Sequence, residues 1–259
     1  MISKTVEEIP GNWKIDLHVH TPQSIDAKLD PIEACVAAKN NGLNGLAFTD
    51  HIDFDPRDIG IGFFNWKEYK KSIKEAREKI PDMLILTGFE LNYQGEFKKQ
   101  ELEFLKGKNI DFVLGSVHWV SSGFVNEEKT YDKRSFEDFI DEWNKEALDL
   151  LEQGICHGFA HFDYFYLQTK QLYPGIKREN IFDRVEEVVE ALIKHGVSLE
   201  VNTSALRKGL EEPFPCYDFL KRYAKIGGTK VHLGSDAHEK SHVGYKFLET
   251  SHFLEKIFS

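Results

Sequence analysis

Seven short apolar runs alternate with amphipathic stretches along the chain, and this alternation constrains the fold more than any other feature. The runs cover residues 15–20, 45–49, 83–89, 112–117, 155–160, 197–201 and 231–234. Apolar runs of this length are typical of buried strands, whereas the stretches between them keep the three- and four-residue spacing of helices. Strands that alternate with helices predict βα units and a parallel sheet.

Capping signals define helices between these runs. Asp30 and Pro31 are typical of a helix start, and Gly42 is typical of its end. Further helices are predicted over residues 65–79, 97–106, 135–153, 185–195, 217–225 and 245–258.

Nearly every apolar run ends in a side chain that can bind a metal ion. The carboxyl ends of parallel strands meet at one mouth of a barrel, so these side chains are expected to converge. An open sheet places such groups at a single switch point, whereas here they follow almost every strand. We therefore predict an α/β barrel, in one domain over residues 1–259. The predicted metal ligands are His18, His20, Asp26, His51, Glu90, His118, His161, Asp236 and His238.

This set holds six histidines and three carboxylates, which are too many for one ion. Imidazole and carboxylate ligands without thiolate suit zinc, iron or manganese, and two or three divalent ions fit if carboxylates bridge them. Metal clusters of this kind activate water and neutralise phosphoryl oxygens, which indicates hydrolysis. A structural role is expected instead for His157 and His232, which begin strands at the opposite end.

The charge and composition exclude several classes of protein. The 259 residues include 33 Lys and Arg against 43 Asp and Glu, a net charge of −10. This balance disfavours a nucleic acid polymer as partner but allows a small anionic substrate. No apolar stretch reaches the about 18 residues of a membrane span, and acids occupy the N-terminus where a signal peptide is apolar. We expect a cytoplasmic protein with reduced cysteines at Cys35, Cys156 and Cys216.

Several motifs resemble those of one known family. DLHVHT, FTDH, GSVH, AHFD and GSDAH, with a glutamate after the third strand, resemble the polymerase-and-histidinol-phosphatase (PHP) family across essentially the whole chain. TDHID, DFVLGSVHWV and LEVNTSALRKGL are similar to the histidinol-phosphatase branch. The resemblance implies a distorted (β/α)7 barrel with a site for two or three metal ions.

The resemblance also implies how the ligands are grouped. One ion would lie among His18, His20, Glu90 and Asp236, a second among Glu90, His118 and His161, and a third among Asp26, His51 and His238. Asp16 and Asp163 would accept hydrogen bonds from imidazoles and so fix their tautomers.

The substrate contacts are predicted from the loops. Arg207, after the sixth strand, is the predicted phosphate clamp, because a guanidinium binds phosphate oxygens in pairs. Asn202, from the same segment, is a further predicted contact. The branch carries an arginine shortly after HFD, whereas this chain reads HFDYFYLQTK, so Lys170 would supply that charge. The candidates for protonating the leaving oxygen are Asp26, His238 and His242.

The predicted reaction is metal-dependent hydrolysis of a small phosphomonoester, with L-histidinol phosphate as the expected substrate. One alternative is another phosphoester hydrolase of the family, acting on phosphotyrosine protein or on nucleotide ends. Similar barrels also host amidohydrolases. A non-catalytic metal-binding regulatory module is the remaining alternative, although missing ligands would favour it and all nine positions are filled.

Overall fold

The computed structural model describes residues 13–258, and their main feature is a seven-stranded parallel sheet. Its strands, in spatial order, are Ile15–Val19 (β1), Gly45–Ile52 (β2), Leu84–Asn92 (β3), Phe112–Ser116 (β4), Gly158–Phe159 (β7), Ser198–Asn202 (β8) and Val231–Gly234 (β9). A separate antiparallel hairpin, Trp119–Val120 (β5) and Gly123–Phe124 (β6), follows β4.

The first and last strands meet, so the sheet is nearly closed. Val19 pairs with Ala237, just beyond β9, and the His20 N–H donates to the Ala237 carbonyl oxygen at 2.9 Å. The predicted barrel, rather than an open sheet, is therefore confirmed.

Helices connect the strands around the outside of the barrel. Within the described residues they are Pro31–Asn40 (α1), Trp66–Lys79 (α2), Lys98–Leu105 (α3), Phe136–Glu152 (α4), Tyr166–Leu172 (α5), Glu186–His195 (α6), Ser204–Arg207 (α7), Tyr217–Lys225 (α8) and Phe247–Ile257 (α9). The Asp30 carboxylate accepts the first free N–H groups of α1, as the capping signal predicts. The short α5, α7 and β5–β6 hairpin are not predicted, because such short segments carry too little periodicity.

The barrel interior is apolar in one half and polar in the other. Its apolar half is a small cluster of side chains from β1 to β4 and from the residue after β7, namely Ile15, Leu17, Ala47, Leu86, Phe112, Leu114 and Ala160. The main core lies between strands and helices, where large side chains such as Phe139, Trp143 and Phe162 are buried. The polar half is the end at which the predicted ligands lie.

An irregularity in β1 determines which side chains enter the barrel. Asp16 pairs with Leu46 and Val19 with Phe48, so three steps along β1 match two along β2. This extra residue interrupts the alternation of side chains. Leu17 and His18, although consecutive, are both turned into the barrel, while Asp16 is turned toward Ser235. Asp16 and His18 therefore lie on different faces of β1, although strict alternation would place residues two apart on the same face.

Candidate active site

All nine predicted ligands lie together at the carboxyl end of the barrel. They lie at or after the carboxyl ends of six strands, namely β1, β2, β3, β4, β7 and β9, and short contacts between their side chains join them. The shortest such contacts run through Glu90, whose Oε2 is 3.0 Å from His51 Nδ1 and 3.1 Å from His18 Nε2. Glu90 Oε1 is 2.8 Å from His161 Nε2 and 3.4 Å from His118 Nε2. Glu90 is therefore the carboxylate shared between neighbouring ligand groups.

The first ligand group is buried. His18 Nε2 and His20 Nε2 are 3.0 Å apart, and His20 Nε2 is 3.3 Å from Asp236 Oδ1. Two ligands of one zinc ion, each at about 2.0–2.1 Å, can be at most about 4 Å apart. The nitrogen and oxygen atoms of this group lie within that limit, so they can share an ion.

The second group is built in the same way around the other oxygen of Glu90. His118 Nε2 and His161 Nε2 are 3.1 Å apart, and both rings are buried and stacked. These two imidazoles and the carboxylate again lie close enough to bind one ion.

The third group is more open to solvent. Asp26 Oδ2 is 3.1 Å from His238 Nε2 and 3.8 Å from His51 Nε2. The side chain of Asp26 is 51% exposed, against 24% for His238 and 19% for His51. An ion at this position would be the most accessible of the three.

The far nitrogen of three rings is already occupied, which leaves Nε2 to face the centre of the cluster. His18 Nδ1 is 2.7 Å from Glu200 Oε1, and His238 Nδ1 is 3.0 Å from the backbone oxygen of Asp236. His20 Nδ1 is 3.1 Å from Ser24 Oγ. Metal-binding histidines commonly have a partner at the second nitrogen, which fixes the ring. The donor set and its orientation therefore fit divalent metal ions.

Burial and neighbouring charges lower the pKa of some of these imidazoles and raise the pKa of others. Burial, with the imidazoles of His238 and His51, holds the pKa of His20 well below its ordinary value, and burial lowers the pKa of His118 to about 3. Burial alone would lower the pKa of His51, but the Glu90 carboxylate raises it to about 10. Burial opposes ionisation of Glu90, yet the surrounding imidazoles hold its pKa well below the ordinary value. The cluster thus offers an ionised carboxylate that requires positive charge beside it.

Two of the predicted ligands have unusual backbone angles. His161 has φ of 20° and Asp236 has φ of 53°, and each follows the end of its strand. Left-handed conformations are uncommon for residues other than glycine and cluster at functional sites. The turns at these two positions bring both side chains into the mouth of the barrel.

The buried partners of the ligands include residues that the sequence analysis does not identify. Glu200 is buried beneath His18, and Asp50 accepts the hydroxyl hydrogen of Ser24 at 2.8 Å. Glu200 lies within the mainly apolar run 197–201, and Asp50 directly follows the run 45–49. An acid in or beside such a run could have identified them. An unpaired buried carboxylate costs free energy, so an acid at such a position indicates a specific partner.

Asp16 and Asp163 do not have the predicted contacts with imidazole rings in the part of the chain that the structure describes. The Asp16 carboxylate accepts hydrogen bonds from the backbone N–H groups of Ser235, Gly244 and His18 and from the Ser235 hydroxyl. Asp163 forms a buried ion pair with Arg178, with Nε 2.6 Å from Oδ2. Both carboxylates are satisfied by other donors, so the predicted tautomer roles are corrected here.

Asn202 and Lys170 do not lie where the predicted contacts with the substrate require. Asn202 is fully buried, donates to Glu200 Oε2 at 3.0 Å and accepts the Ser204 N–H at 2.9 Å. Lys170 lies on α5 and does not line the cavity over the ligand cluster. The turn and helix after the HFD motif take Lys170 away from that position.

A cavity of about 930 Å³ covers the ligand cluster. Arg207, Lys208 and His242 line one side of it. Arg207 Nη2 donates to the Asp236 backbone oxygen at 3.0 Å, whereas Nη1 has no hydrogen-bond partner among residues 13–258. Lys208 Nζ lies 3.2 Å from Asp236 Oδ2, so a second cation that the sequence analysis does not select lies next to the cluster.

The cavity wall also contains acidic and aromatic side chains, from Asp53, Asp58, Trp119, Phe124 and Glu127. The Trp119 indole N–H donates to Asp58 Oδ2 at 2.7 Å. Two further cations, Arg57 and Lys129, line the cavity as well, and the Arg57 guanidinium lies 4.6 Å from the centroid of the Trp119 ring.

Comparison with known proteins identifies the family. The family model described as the PHP domain matches residues 16–204 of the chain. The chain belongs to the PHP domain family. The resemblance based on DLHVHT, FTDH and GSVH, which lie within the matched residues, is thereby confirmed.

Relatives of this PHP protein match it over most of their length. A probable histidinol-phosphatase of Clostridium acetobutylicum is 29% identical over 238 residues, covering 90% of this chain and 89% of the relative. The histidinol-phosphatase of Lactococcus lactis subsp. lactis is 28% identical over 229 residues, covering 87% and 84%. These relatives agree with the predicted branch of the family.

A solved structure shares the fold. The crystal structure of the Lactococcus lactis histidinol phosphate phosphatase, complexed with zinc, L-histidinol and phosphate, aligns with a TM-score of 0.79 at 24% identity. The alignment covers 94% of this chain and 93% of that one. The barrel of this PHP protein is therefore that of a known phosphatase structure.

None of the helices within residues 13–258 has both the length and the apolar composition of a membrane span.

Proposed function

We propose that this protein is a metal-dependent phosphomonoesterase that hydrolyses L-histidinol phosphate to L-histidinol and phosphate. The observation that carries the proposal is one cavity in which an imidazole–carboxylate cluster lies beside two cations, Arg207 and Lys208. Relatives in Clostridium acetobutylicum and Thermotoga maritima, which match 90% and 93% of the chain, are named probable histidinol-phosphatases, which supports this substrate.

The nine clustered side chains would hold two or three divalent ions, and zinc, iron or manganese suits their imidazole and carboxylate atoms. Such ions, when bound, lower the pKa of water and neutralise phosphoryl oxygens. The chain itself supplies the arrangement. Glu90 presents one oxygen to His18 and the other to His161, so both ligand groups keep a fixed separation.

Arg207 and Lys208 would bind the phosphate of the substrate. Arg207 Nη1 is buried without a partner in the described part of the chain, so it can donate to a phosphate oxygen without breaking another hydrogen bond. The Lys208 ammonium donates to Asp236 Oδ2 and to Ser204 Oγ, which leaves one N–H without an acceptor among residues 13–258. Lys208 thus takes the role that the sequence analysis gives to Lys170.

His242 remains our candidate for donating a proton to the leaving oxygen, with Asp26 and His238 as the others. His242 lines the cavity, and its Nε2 is 3.2 Å from Glu239 Oε1. Its Nδ1 is buried and has no partner among the described residues.

We also propose that residues 1–259 form one catalytic domain and that the enzyme works in the cytoplasm. Residues 13–258 share one principal sheet and one principal core, which supports a single domain. Cys35, Cys156 and Cys216 are free and buried, which suits a reducing compartment.

The proposal is tested by phosphate release from a panel of L-histidinol phosphate, a phosphotyrosine peptide and nucleotides. Each substrate is tested with the protein as purified, after chelation, and after zinc, iron or manganese is added back. We expect turnover of L-histidinol phosphate that chelation abolishes and a metal restores. Preferred hydrolysis of the phosphotyrosine peptide or of a nucleotide would favour the alternative phosphoesterases, and release from none of them would favour a non-catalytic metal-binding module.

A further inference from the structure

Glu200 is a buried acid at the base of the ligand cluster, and no part of the proposed reaction uses it directly. It lies on β8 and is 0% exposed. Its Oε1 is 2.7 Å from His18 Nδ1. Its Oε2 accepts the backbone N–H of His161 at 2.6 Å and the Asn202 amide at 3.0 Å. One carboxylate therefore contacts two candidate ligands that belong to different groups.

These contacts act on the two ligands in different ways. At His18, a carboxylate at Nδ1 favours the tautomer with hydrogen on Nδ1, which leaves the Nε2 lone pair facing Glu90 and His20. At His161, the carboxylate holds the N–H of a residue with φ of 20°. That conformation requires support from its surroundings.

Gly234 makes room for this carboxylate. A Cβ at position 234 would lie 1.9 Å from Glu200 Oε1 and 2.8 Å from His18 Cβ. The φ of Gly234 is not in the left-handed region, so space rather than backbone conformation requires glycine here. Any larger residue would push the Glu200 carboxylate or the His18 ring out of place.

We propose that Glu200 is a positioning residue that sets the His18 ring and the His161 backbone for metal binding, and that Gly234 keeps the space it needs. This inference rests on the proposed metal site. It assigns to Glu200 the imidazole-orienting role that the sequence analysis gives to Asp16 and Asp163.

The test compares Glu200→Gln with the wild type and with Glu101→Gln. Glu101 is a matched control, because it is also a fully buried glutamate, and its Oε1 accepts a backbone N–H, that of Gln94, at 3.0 Å. Each full-length protein is stripped of metal and titrated with zinc, and its thermal unfolding is recorded. We expect Glu200→Gln to bind zinc roughly 10–100-fold more weakly, and Glu101→Gln to bind it like the wild type.

A spectroscopic measurement separates positioning from a general loss of stability. In ¹⁵N-histidine spectra of the zinc-loaded protein, we expect a signal from an Nδ1–H bound to carboxylate in the wild type and in Glu101→Gln. This signal should shift in Glu200→Gln. A folded Glu200→Gln protein with wild-type zinc affinity and an unchanged spectrum would overturn the role of Glu200.

Gly234→Ala provides a second test that leaves every ligand and Glu200 in the chain. We expect it to weaken zinc binding to an extent similar to Glu200→Gln. If Glu200→Gln does not fold, a folded Gly234→Ala protein with wild-type zinc affinity overturns the proposal. A wild-type protein that binds no zinc, iron or manganese would instead overturn the metal site and the proposed function with it.

Discussion

The two ends of the barrel both carry histidines, but the histidines behave differently. At the carboxyl end, six imidazoles contact one another and three carboxylates. At the amino end, His157 Nδ1 accepts the Val113 N–H at 2.8 Å, and His232 Nδ1 is 2.9 Å from Ser198 Oγ. Phe112 lies between these two rings, with centroids 5.7 and 5.6 Å away.

The cavities at the two ends differ in the same way. The cavity at the carboxyl end contains the ligand cluster with Arg207 and Lys208 beside it, whereas a cavity of about 570 Å³ near His157 is lined mainly by apolar side chains such as Leu105, Ile110 and Ile155. Burial lowers the pKa of His232 to about 4, which keeps that ring neutral. The end of the strand at which a histidine lies, rather than the residue type, therefore decides whether it belongs to the candidate active site.

Removal of a shared ligand is expected to have the largest effect on the site at the carboxyl end. Glu90→Ala and His118→Ala each remove a metal ligand, so we expect both variants to lose bound metal. Their kcat/KM should fall by more than roughly 100-fold, which is the loss expected when only a hydrogen-bond partner of a ligand is removed. Elemental analysis and phosphate release measure both effects. Full activity in both variants, with metal still bound, would show that the cluster is not the site.

The two cations test which charges act on the substrate. We expect Arg207→Ala to lower kcat/KM by about 100-fold, since it removes donors to the phosphoryl oxygens. Lys208→Met should lower it by about tenfold. Lys170→Met is the matched control and should leave kcat/KM unchanged. The reverse order, with Lys170→Met as the damaging variant, would restore the interpretation made from the sequence.

A substitution at the amino end should affect stability and leave the reaction unchanged. His157→Ala removes the acceptor of the buried Val113 N–H, which we expect to cost about 1–3 kcal/mol of unfolding free energy. Denaturant unfolding measures this loss. Metal content and kcat/KM of the folded variant should match the wild type, and a loss of metal would mean that the two ends are coupled.

Glu101, a buried glutamate outside the barrel, differs from Glu90 in the direction of its pKa shift. Burial, together with the carboxylates of Glu146 and Asp149, raises the pKa of Glu101 to about 8, whereas imidazoles lower the pKa of Glu90. Since the folded pKa exceeds the unfolded one, Glu101 stabilises the fold at low pH, and this contribution is lost as the pH rises from about 4.5 to about 8. We expect the stability of the wild type to fall relative to Glu101→Gln by about 1 kcal/mol per pH unit in this window. Parallel stability curves for the two proteins would contradict the raised pKa.

Much of the fold and the ligand set can be predicted from sequence because both depend on local pattern. The apolar runs predict the strands, and the side chains that follow them predict the ligands, since parallel strands end at one mouth. Asp16 could not be placed correctly, because the extra residue in β1 leaves no mark in the apolar pattern.

The supporting contacts depend on packing across the chain and are harder to predict. Glu200 and His18 are 182 residues apart in sequence. Lys208 is selected over Lys170 by the course of the backbone through α5 and α7, two short helices that have no clear periodicity. Charge and residue type alone do not separate the two lysines.

Anomalous diffraction at the zinc edge, from crystals of the zinc-loaded protein, would locate the metal ions in the barrel. We predict two or three peaks at the carboxyl end of the barrel, among Glu90, His118 and the other clustered ligands, and none beside His157 or His232. An absence of peaks in the cluster, or peaks at the amino end, would show that the clustered residues are not the metal site.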